Sequence, residues 1–371
     1  MRIVFISNVI TPHQIPLCDE LSSLPGVSFT FIESINIDKA ILPIGWRALS
    51  SPQYVISYKT LMNSYMKFKE MINAADAVVF GAGNLDLISE RLDLNKLTFL
   101  YSERIYKNWK EYIKYPYHRL KFKKLYGGYD KLYLLSASAF SAGDYNSLGL
   151  FRNKSFKWGY FTRVENIRRR SFEGGVLNIL WCGRFISWKH PELAVELAWR
   201  LKSDGYNFHL NMIGDGDQLN HIRCLIDKYR VSDVVTLLGG LSNDTVYKYM
   251  RTHHLFLFTS DQNEGWGAVA NESMSNGCVL VASDKIGSVP YLIKDGENGM
   301  IFRNKSIDSL YEKVTSLLND TTRLTEISNK GIDTIYRLWS PKNAALSLYT
   351  LIGDLLNDVN STIHEGPCSK A

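Results

Sequence analysis

Short apolar runs alternate with longer amphipathic stretches along the whole chain. Apolar runs of about 4–8 residues are typical of buried strands, and an apolar repeat of about 3.6 residues is typical of helices. In the first half, this pattern predicts strands near 2–7, 28–33, 77–80, 97–101 and 131–135. In the second half, it predicts strands near 177–182, 208–213, 234–238, 255–259 and 279–282. Strands that alternate with helices in this way indicate an α/β protein with doubly wound sheets.

The length of 371 residues is more than a single hydrophobic core normally serves. We therefore predict an N-terminal Rossmann-like domain over residues 1–162 and a C-terminal one over residues 176–340. The segment 163–175 is first basic and then ends in Glu-Gly-Gly, which is typical of a linker. An amphipathic pattern predicts a terminal helix within 341–360, and the last residues, 361–371, are expected to be disordered.

Two carboxylates, Glu264 and Glu272, stand eight residues apart after the predicted strand at 255–259. A helix is predicted from Ala268 to Asn276, ending at Gly277, so that Glu264 lies in a strand-to-helix loop. Such loops lie at the carboxyl edge of an open sheet, where ligands bind, and amides at a helix start favour an anion. At ~1.5 Å per helical residue, the carboxylates fall on the order of 10 Å apart, which suits a nucleotide sugar. The alternative interpretation is a plain loop carboxylate and a solvated helix residue.

The segment 264–272 resembles the E-x7-E signature of retaining glycosyltransferases of family 4, which have the GT-B fold. Further segments follow the family's order between residues 181 and 299. They are Trp181-Cys-Gly-Arg184-Phe-Ile-Ser-Trp-Lys189, Ile213-Gly-Asp-Gly216, Leu238-Gly-Gly-Leu241, and the segments 281–290 and 295–299. The N-terminal half matches less sharply. The loop 8–14 lacks the glycine pair of many relatives, and Ser102-Glu103-Arg104 stands where many carry a histidine.

This resemblance implies two Rossmann-like domains that face each other across a cleft, with the terminal helix crossing back onto the first domain. It implies that Arg184 and Lys189 contact a diphosphate, where a planar fork and a point charge stabilise developing negative charge. It also implies that Glu264 holds hydroxyls of the transferred sugar and that Glu272 holds the ribose hydroxyls. The alternative for Arg184 and Lys189 is an ordinary surface pair.

Five further residues are candidates for donor binding. Backbone amides in Gly265-Trp266-Gly267 can approach the sugar or phosphate, since glycine permits close backbone contact. Gly214 and Leu241 lie in turns that resemble the family's donor-side turns. For Trp266, simple packing is an equally good interpretation.

The candidates for the acceptor or sugar side are His13, Gln14 and Glu103. For His13 and Gln14 the alternative is helix capping or packing, because Pro16 suits a helix start just after them. Asp215-Gly-Asp217 follows a predicted strand and is interpreted as turn chemistry, so we predict no metal site and no cofactor.

The resemblance implies an enzyme that transfers a sugar from a nucleoside-diphosphate sugar without a metal ion and with retention of configuration. The implied donor is a UDP-sugar rather than a GDP-sugar. The implied acceptor is a glycan or an undecaprenyl-diphosphate-linked intermediate of a cell-surface polysaccharide such as an O-antigen, capsule or exopolysaccharide. A front-face mechanism is preferred, and a covalent glycosyl-enzyme is the alternative. The rival functions are a sugar-nucleotide epimerase or hydrolase on the same fold, and a non-catalytic glycan- or lipid-binding subunit.

The net charge of +6 is unevenly distributed. Residues 101–130 contain eight Lys or Arg against three acids, interleaved with aromatic residues, and 163–170 form a second basic run. This pattern fits contact with anionic lipid, nucleic acid or solvent. Without a nucleic-acid motif, and with the resemblance to enzymes of membrane-linked glycan assembly, we favour peripheral membrane contact. No stretch approaches the ~18 apolar residues of a membrane span, and the first strand begins too early for a signal peptide. The five scattered cysteines favour a reducing cytoplasm.

Overall fold

The computed structural model describes residues 1–37, 52–165, 170–172, 175–318 and 320–371. The chain forms two compact units, residues 1–163 with 338–371 and residues 164–337. Each unit contains one parallel sheet flanked by helices, which confirms the predicted α/β class. Residues 166–169 and 173–174 of the predicted linker lie outside the described residues.

The first unit is built on a seven-stranded parallel sheet with the order β3-β2-β1-β4-β5-β6-β7. Its strands are β1 (Arg2–Ser7), β2 (Ser28–Glu33), β3 (Val55–Ile56), β4 (Ala77–Phe80), β5 (Thr98–Ser102), β6 (Leu132–Ser136) and β7 (Ser155–Lys157). Its helices before the second unit are α1 (Ile15–Ser23), α2 (Tyr58–Asn63), α3 (Tyr65–Ala74), α4 (Asp86–Asp93), α5 (Trp109–Ile113), α6 (Tyr115–Tyr126) and α7 (Ser141–Ser147). The central strand β4 is buried along its whole length, because helices cover both faces of the sheet.

The second unit has a six-stranded parallel sheet with the order β10-β9-β8-β11-β12-β13. Its strands are β8 (Leu177–Cys182), β9 (Phe208–Ile213), β10 (Val235–Gly239), β11 (Leu255–Phe258), β12 (Val279–Ser283) and β13 (Met300–Phe302). Its helices are α8 (Pro191–Ser203), α9 (Leu219–Tyr229), α10 (Asn243–Thr252), α11 (Val269–Ser275), α12 (Val289–Leu292), α13 (Ile307–Leu318) and α14 (Thr321–Asp333). Strands β11 and β12 are buried throughout, as expected for continuous apolar runs in a covered parallel sheet.

The predicted strands all occur, and their bounds agree with the structure to within one residue. The pattern missed β3, β7 and β13, which are two or three residues long. A strand this short shows no alternation that distinguishes it from a loop.

The C-terminal segment belongs to the first unit, where helix α15 (Pro341–Leu356) packs against α1. The Ser340 side chain begins this helix by accepting a hydrogen bond from the Asn343 amide at 3.2 Å. Its inner face buries Ala344, Leu348 and Ile352 completely. The terminal helix therefore packs as part of the first unit.

The expectation that residues 361–371 are disordered is wrong. The last residues of this tail, 368–371, lie antiparallel to the edge strand β7, with hydrogen bonds from the Cys368 amide to the Lys157 carbonyl (2.7 Å) and from the Lys157 amide to the Ser369 carbonyl (2.8 Å). The Cys368 side chain is fully buried. An edge strand exposes unpaired backbone groups, and the tail satisfies them, which its composition alone did not indicate.

Candidate functional site

Two loops at the carboxyl edge of the second sheet carry the residues that the sequence assigned to diphosphate and sugar. Arg184 and Lys189 lie in the loop after β8, which ends in a short 3-10 turn. Glu264 lies in the loop after β11, the parallel neighbour of β8. Because parallel neighbours end at the same edge, the two loops meet there, at the usual place for a ligand in an open sheet.

The structure pairs two residues that the sequence assigned to different parts of a ligand. The Lys189 ammonium makes a direct ion pair with Glu264 Oε2, and Ser260 Oγ donates to the same oxygen at 3.0 Å. The ammonium also lies 4.7 Å from the centre of the Trp188 ring. Within the described residues, Glu264 Oε1 makes no hydrogen bond. One carboxylate oxygen therefore fixes the lysine, and the other is left for a ligand.

Arg184 differs from Lys189 in its surroundings. Its side chain is exposed and makes no hydrogen bond or ion pair with any residue in the described parts of the chain. Arg184 is therefore an unpaired cation in the same loop as Lys189, whose charge is offset by Glu264. The planar fork of Arg184 suits two phosphate oxygens.

Sequence reasoning missed a second ionic cluster, which the same two loops form with Lys305. Asp261 accepts hydrogen bonds from the Asn263 amide (2.9 Å) and side chain (2.8 Å) and pairs with Lys305 at 3.2 Å. His190 Nε2 lies 3.3 Å from Asp261 Oδ2, and His190 Nδ1 lies 2.7 Å from Glu192 Oε1. A histidine and an aspartate 71 positions apart give no local signal, so only the fold brings them together.

Glu272 lies in the first turn of α11, where its Oε1 accepts a hydrogen bond from the Tyr247 hydroxyl at 3.0 Å. Burial disfavours the charged carboxylate and raises the pKa of Glu272 to about 7, and the Tyr247 hydrogen bond only partly opposes this. Tyr247 is on α10 and was not a predicted site residue. A hydroxyl-rich ligand would stabilise the ionised carboxylate.

The glycine-flanked tryptophan is part of the core. The Trp266 side chain is fully buried and donates from Nε1 to Asn271 Oδ1 at 2.8 Å. Its ring therefore has a packing role. Gly265 is buried beside it. Gly267 has a φ of 79°, and a Cβ there would lie 2.3 Å from Phe258 Cζ. The backbone of this segment thus lies tightly on β11, and only its amides are left for a ligand.

The turn after β9 is equally tight. Gly214 has a φ of 136°, and a Cβ there would lie 1.9 Å from the Gly183 carbonyl oxygen. Asp215 and Asp217 are exposed, and Asp215 Oδ1 accepts from the Gly216 amide at 2.7 Å, which is turn geometry. Leu241, the remaining donor-side candidate, is half-buried after β10. Throughout the described ranges, no group of three or more His, Cys, Asp or Glu side chains could hold a metal ion.

The first unit contains a separate cavity of about 490 Å³ at the carboxyl ends of β1, β4 and β5. It brings together the predicted acceptor-side residues His13, Gln14 and Glu103, and Tyr160, which the sequence did not indicate. Glu103 accepts from the Tyr160 hydroxyl and from Lys107, both at 2.7 Å. Burial lowers the pKa of His13, whose ring stacks on Tyr160 with 6.4 Å between centroids. The wall therefore combines neutral hydrogen-bonding groups with one carboxylate that is paired to a lysine.

Gln14 also takes part in the start of helix α1, which was the alternative interpretation of this residue. Its Oε1 accepts from the Thr11 amide (3.1 Å) and hydroxyl (3.2 Å) just before α1 begins, with Pro16 in the first turn. The side chain thus organises the helix start as well as lining the cavity.

The basic aromatic segment forms a surface on α5 and α6, called here the α5–α6 surface. Its exposed large apolar side chains include Trp109 (67% exposed), Ile113 (67%) and Leu120 (75%). Between residues 109 and 126 there is one acid, Glu111, against exposed basic residues, which are Lys110, Lys114, Arg119, Lys121, Lys123 and Lys124. The inner face of α6 is fixed by aromatic contacts, for example between Phe122 and the buried Tyr145.

Arg170, at the end of the second basic run, has different surroundings. Of residues 166–170, only Arg170 is among those described. Its guanidinium donates to the His253 carbonyl at 2.9 Å and lies 4.6 Å from the centre of the Phe172 ring. Arg170 therefore packs within the second unit and adds no exposed basic surface.

The two parallel α/β units, with polar loops at their carboxyl edges, have the GT-B fold. Residues 163–334 match the family described as glycosyl transferases group 1. The structure is similar to that of HepE from Anabaena in complex with UDP, with a TM-score of 0.69 and 14% identity over 97% of this chain and 100% of that chain. It is also similar to a sucrose-phosphate synthase from Thermosynechococcus elongatus, with a TM-score of 0.63 and 16% identity over 96% and 100% of the two chains. The predicted fold class is confirmed.

In sequence, the chain is similar to an uncharacterised glycosyltransferase of Methanocaldococcus jannaschii, with 30% identity over 152 residues, 41% of each chain. It is also similar to the N-acetylgalactosamine-N,N'-diacetylbacillosaminyl-diphospho-undecaprenol 4-alpha-N-acetylgalactosaminyltransferase of Campylobacter jejuni. That similarity is 29% identity over 153 residues, 41% of this chain and 40% of the relative. The chain thus matches about two-fifths of the length of these relatives. In the described part of the chain, no helix is long and apolar enough to cross a bilayer.

Proposed function

We propose that the protein is a retaining glycosyltransferase of family 4 that moves a hexosyl group from a nucleoside-diphosphate sugar to an acceptor hydroxyl. The observation that carries this proposal is the pair of loops at the carboxyl edge of the second sheet, which combine an unpaired cation with a fixed lysine–glutamate pair. There, the unpaired Arg184 shares a loop with Lys189, and Lys189 is fixed against Glu264. Departure of a nucleoside diphosphate places negative charge on phosphate oxygens, and fixed cations stabilise that charge where it develops.

Each side chain has a defined part in the proposed reaction. Arg184 binds two diphosphate oxygens, Lys189 adds charge beside them, and Glu264 orients sugar hydroxyls through Oε1. The bond between the anomeric carbon and the phosphate oxygen breaks, and the acceptor oxygen forms its bond to that carbon from the same face. The acceptor proton passes to the departing phosphate oxygen, so configuration is retained. We propose that this reaction does not require a metal ion.

The proposed donor is a UDP-sugar, and the proposed acceptor is a glycan or an undecaprenyl-diphosphate-linked intermediate. HepE from Anabaena was crystallised with UDP, and the name of the Campylobacter relative specifies a diphospho-undecaprenol acceptor. Glu272 with Tyr247 is the proposed ribose site, since a carboxylate accepts hydrogen bonds from two neighbouring hydroxyls. The cavity with His13, Gln14 and Glu103 is proposed to receive the acceptor.

A direct test offers UDP- and GDP-sugars with and without a lipid-linked glycan acceptor. We expect product only with a UDP-sugar and acceptor together, an unchanged anomeric configuration by NMR, and an unchanged rate in EDTA. Consumption of donor at the full rate without acceptor would indicate an epimerase or a hydrolase instead. Donor that binds and is never consumed would indicate a binding subunit.

We also propose that the α5–α6 surface rests on the cytoplasmic face of an anionic membrane. A solvated basic helix would present polar residues outward, whereas here Trp109, Ile113 and Leu120 lie exposed among lysines. Apolar side chains surrounded by cations fit a bilayer interface, where each cation adds about 1 kcal/mol of attraction to anionic headgroups. The aromatic inner contacts of α6 hold this surface in place before it meets a membrane.

Sedimentation with vesicles of neutral and anionic lipid tests this contact. Replacing Lys121, Lys123 and Lys124 by Glu should abolish binding to anionic vesicles, and high salt should weaken wild-type binding. The matched control changes three exposed basic residues of the second unit to Glu, namely Arg223, Lys228 and Lys248, and should still bind. Equal loss in both variants would mean that only net charge matters, and the α5–α6 surface would then have no special role.

A further inference from the structure

We infer that His190 and Asp261 are positioning residues that hold the Lys189–Glu264 pair in register for the reaction. The expected effect on the transfer rate rests on the proposed function. The structural part of the inference, the fixed position of Lys189, does not depend on which reaction the site performs.

Three consecutive residues of the loop after β8, Trp188, Lys189 and His190, are each bound to the loop after β11. The Trp188 carbonyl accepts from the Asp261 amide at 3.0 Å, and the Lys189 carbonyl accepts from Thr259 Oγ1 at 2.6 Å. His190 completes the series through its contact with the Asp261 carboxylate. The backbone of Lys189 is therefore held on both sides before its side chain reaches Glu264.

Asp261 is the centre of this arrangement. It is 4% exposed, and its carboxylate contacts His190, Asn263 and Lys305. Burial opposes its charge, but the hydrogen bonds from His190, Asn263 and Lys305 outweigh burial and hold the pKa of Asp261 well below its ordinary value. Removing one partner of such a buried cluster leaves charge uncompensated, so the cluster responds as a unit.

His190 is charged on geometric grounds. Its two ring nitrogens face two carboxylates, Glu192 and Asp261, and a neutral imidazole can donate only one hydrogen bond. The residue also has a left-handed backbone with a φ of 50°, immediately before the proline that begins α8. A side chain without these two bonds would remove one of the three links between the loops, the one at the left-handed turn that directly follows Lys189.

The consequence is a specific kinetic pattern. Misplacement of a reacting group by about 1 Å can lower a rate about 100-fold. A cation that acts on charge developing in the transition state affects kcat more than it affects ground-state binding. We therefore expect His190→Ala and Asp261→Asn to lower kcat by about tenfold or more, with the donor KM nearly unchanged. His190→Gln, which keeps one donor, should recover part of the rate.

The decisive experiment measures Lys189 directly. Wild type and variants are treated with acetic anhydride, and acetylation of Lys189 is followed by mass spectrometry alongside thermal unfolding. Lys189 should react several-fold faster in His190→Ala and Asp261→Asn, and less fast in His190→Gln. His221→Gln, at an exposed position on α9, is the matched control and should leave the labelling rate unchanged.

Unchanged labelling of Lys189 in folded variants would overturn the inference, whatever their activity. Faster labelling together with an unchanged kcat would overturn its catalytic part. If no sugar nucleotide supports transfer by the wild type, the proposed function fails, but the labelling result still decides whether His190 and Asp261 position the lysine.

Discussion

Each unit of the protein places a glutamate–lysine pair just after a strand of its parallel sheet, and the two pairs differ in kind. Glu264 pairs with Lys189 from 75 positions away, and the two side chains are 12% and 16% exposed. Glu103 pairs with Lys107 four positions on, and these side chains are 29% and 34% exposed. Breaking a fully buried pair costs about 3–5 kcal/mol, whereas an exposed pair contributes about 0.2–1 kcal/mol, so the better buried Glu264–Lys189 pair is expected to matter more.

In the second unit, the ion pair is therefore positioned by the tertiary fold. In the first unit, it is positioned by a local turn of the chain. A cation fixed by the fold can stabilise charge without moving during the reaction. A local, half-exposed pair adjusts to what is bound. The comparison therefore predicts that the second unit determines the rate and the first unit determines which acceptor is used.

The largest effect is expected at Glu264. Glu264→Ala should lower transfer about 1,000-fold or more, because it removes sugar contacts and releases Lys189 from its fixed position. Binding of free UDP, measured by calorimetry, should change little, since the assigned contact is to the sugar. If UDP binding and transfer were lost together, Glu264 would contact the nucleotide, and its assignment to the sugar would be wrong.

The next largest effects are expected at Arg184 and Lys189, and they should differ between these two cations of the loop after β8. Arg184→Ala should slow transfer about 100-fold with an unchanged midpoint of thermal unfolding, because Arg184 is exposed and unpaired. Arg184→Lys should recover only part of the rate, since the planar fork is lost. Lys189→Ala should lower both the rate and the unfolding midpoint. Equal thermal effects for the two alanine variants would show that Lys189 is not held by the fold.

The sequence predicted the second unit more completely than the first, for physical reasons. Continuous apolar runs such as β11 and β12 are unambiguous, and glycines such as Gly214 stand where a Cβ would clash. The pairing of His190 with Asp261 arises only when distant loops meet. In the first unit, Tyr160 lies 57 positions from Glu103, and the ordered tail depends on an edge strand too short to predict.

Glu272 gives a smaller effect that depends on pH. Burial raises its pKa to about 7, so the carboxylate is protonated below that pH and accepts ribose hydrogen bonds less well. UDP affinity should therefore rise with pH through about 7, by roughly 10-fold for a contact of about 1–3 kcal/mol. Glu272→Gln should bind UDP more weakly and lose the pH dependence. A pH dependence that persists in this variant would assign the titration to another group.

The smallest effects are expected in the first unit, where Lys107 and Tyr160 contact different oxygens of Glu103. Lys107→Ala removes only a half-exposed local pair, so kcat and acceptor KM should stay within about twofold of wild type. Tyr160→Phe removes a hydrogen bond on the cavity wall and should raise the acceptor KM several-fold with the donor KM unchanged. Both constants are obtained by varying the acceptor at saturating donor. A larger effect from Lys107→Ala than from Tyr160→Phe would show that the local ion pair, and not the Tyr160 hydroxyl, recognises the acceptor.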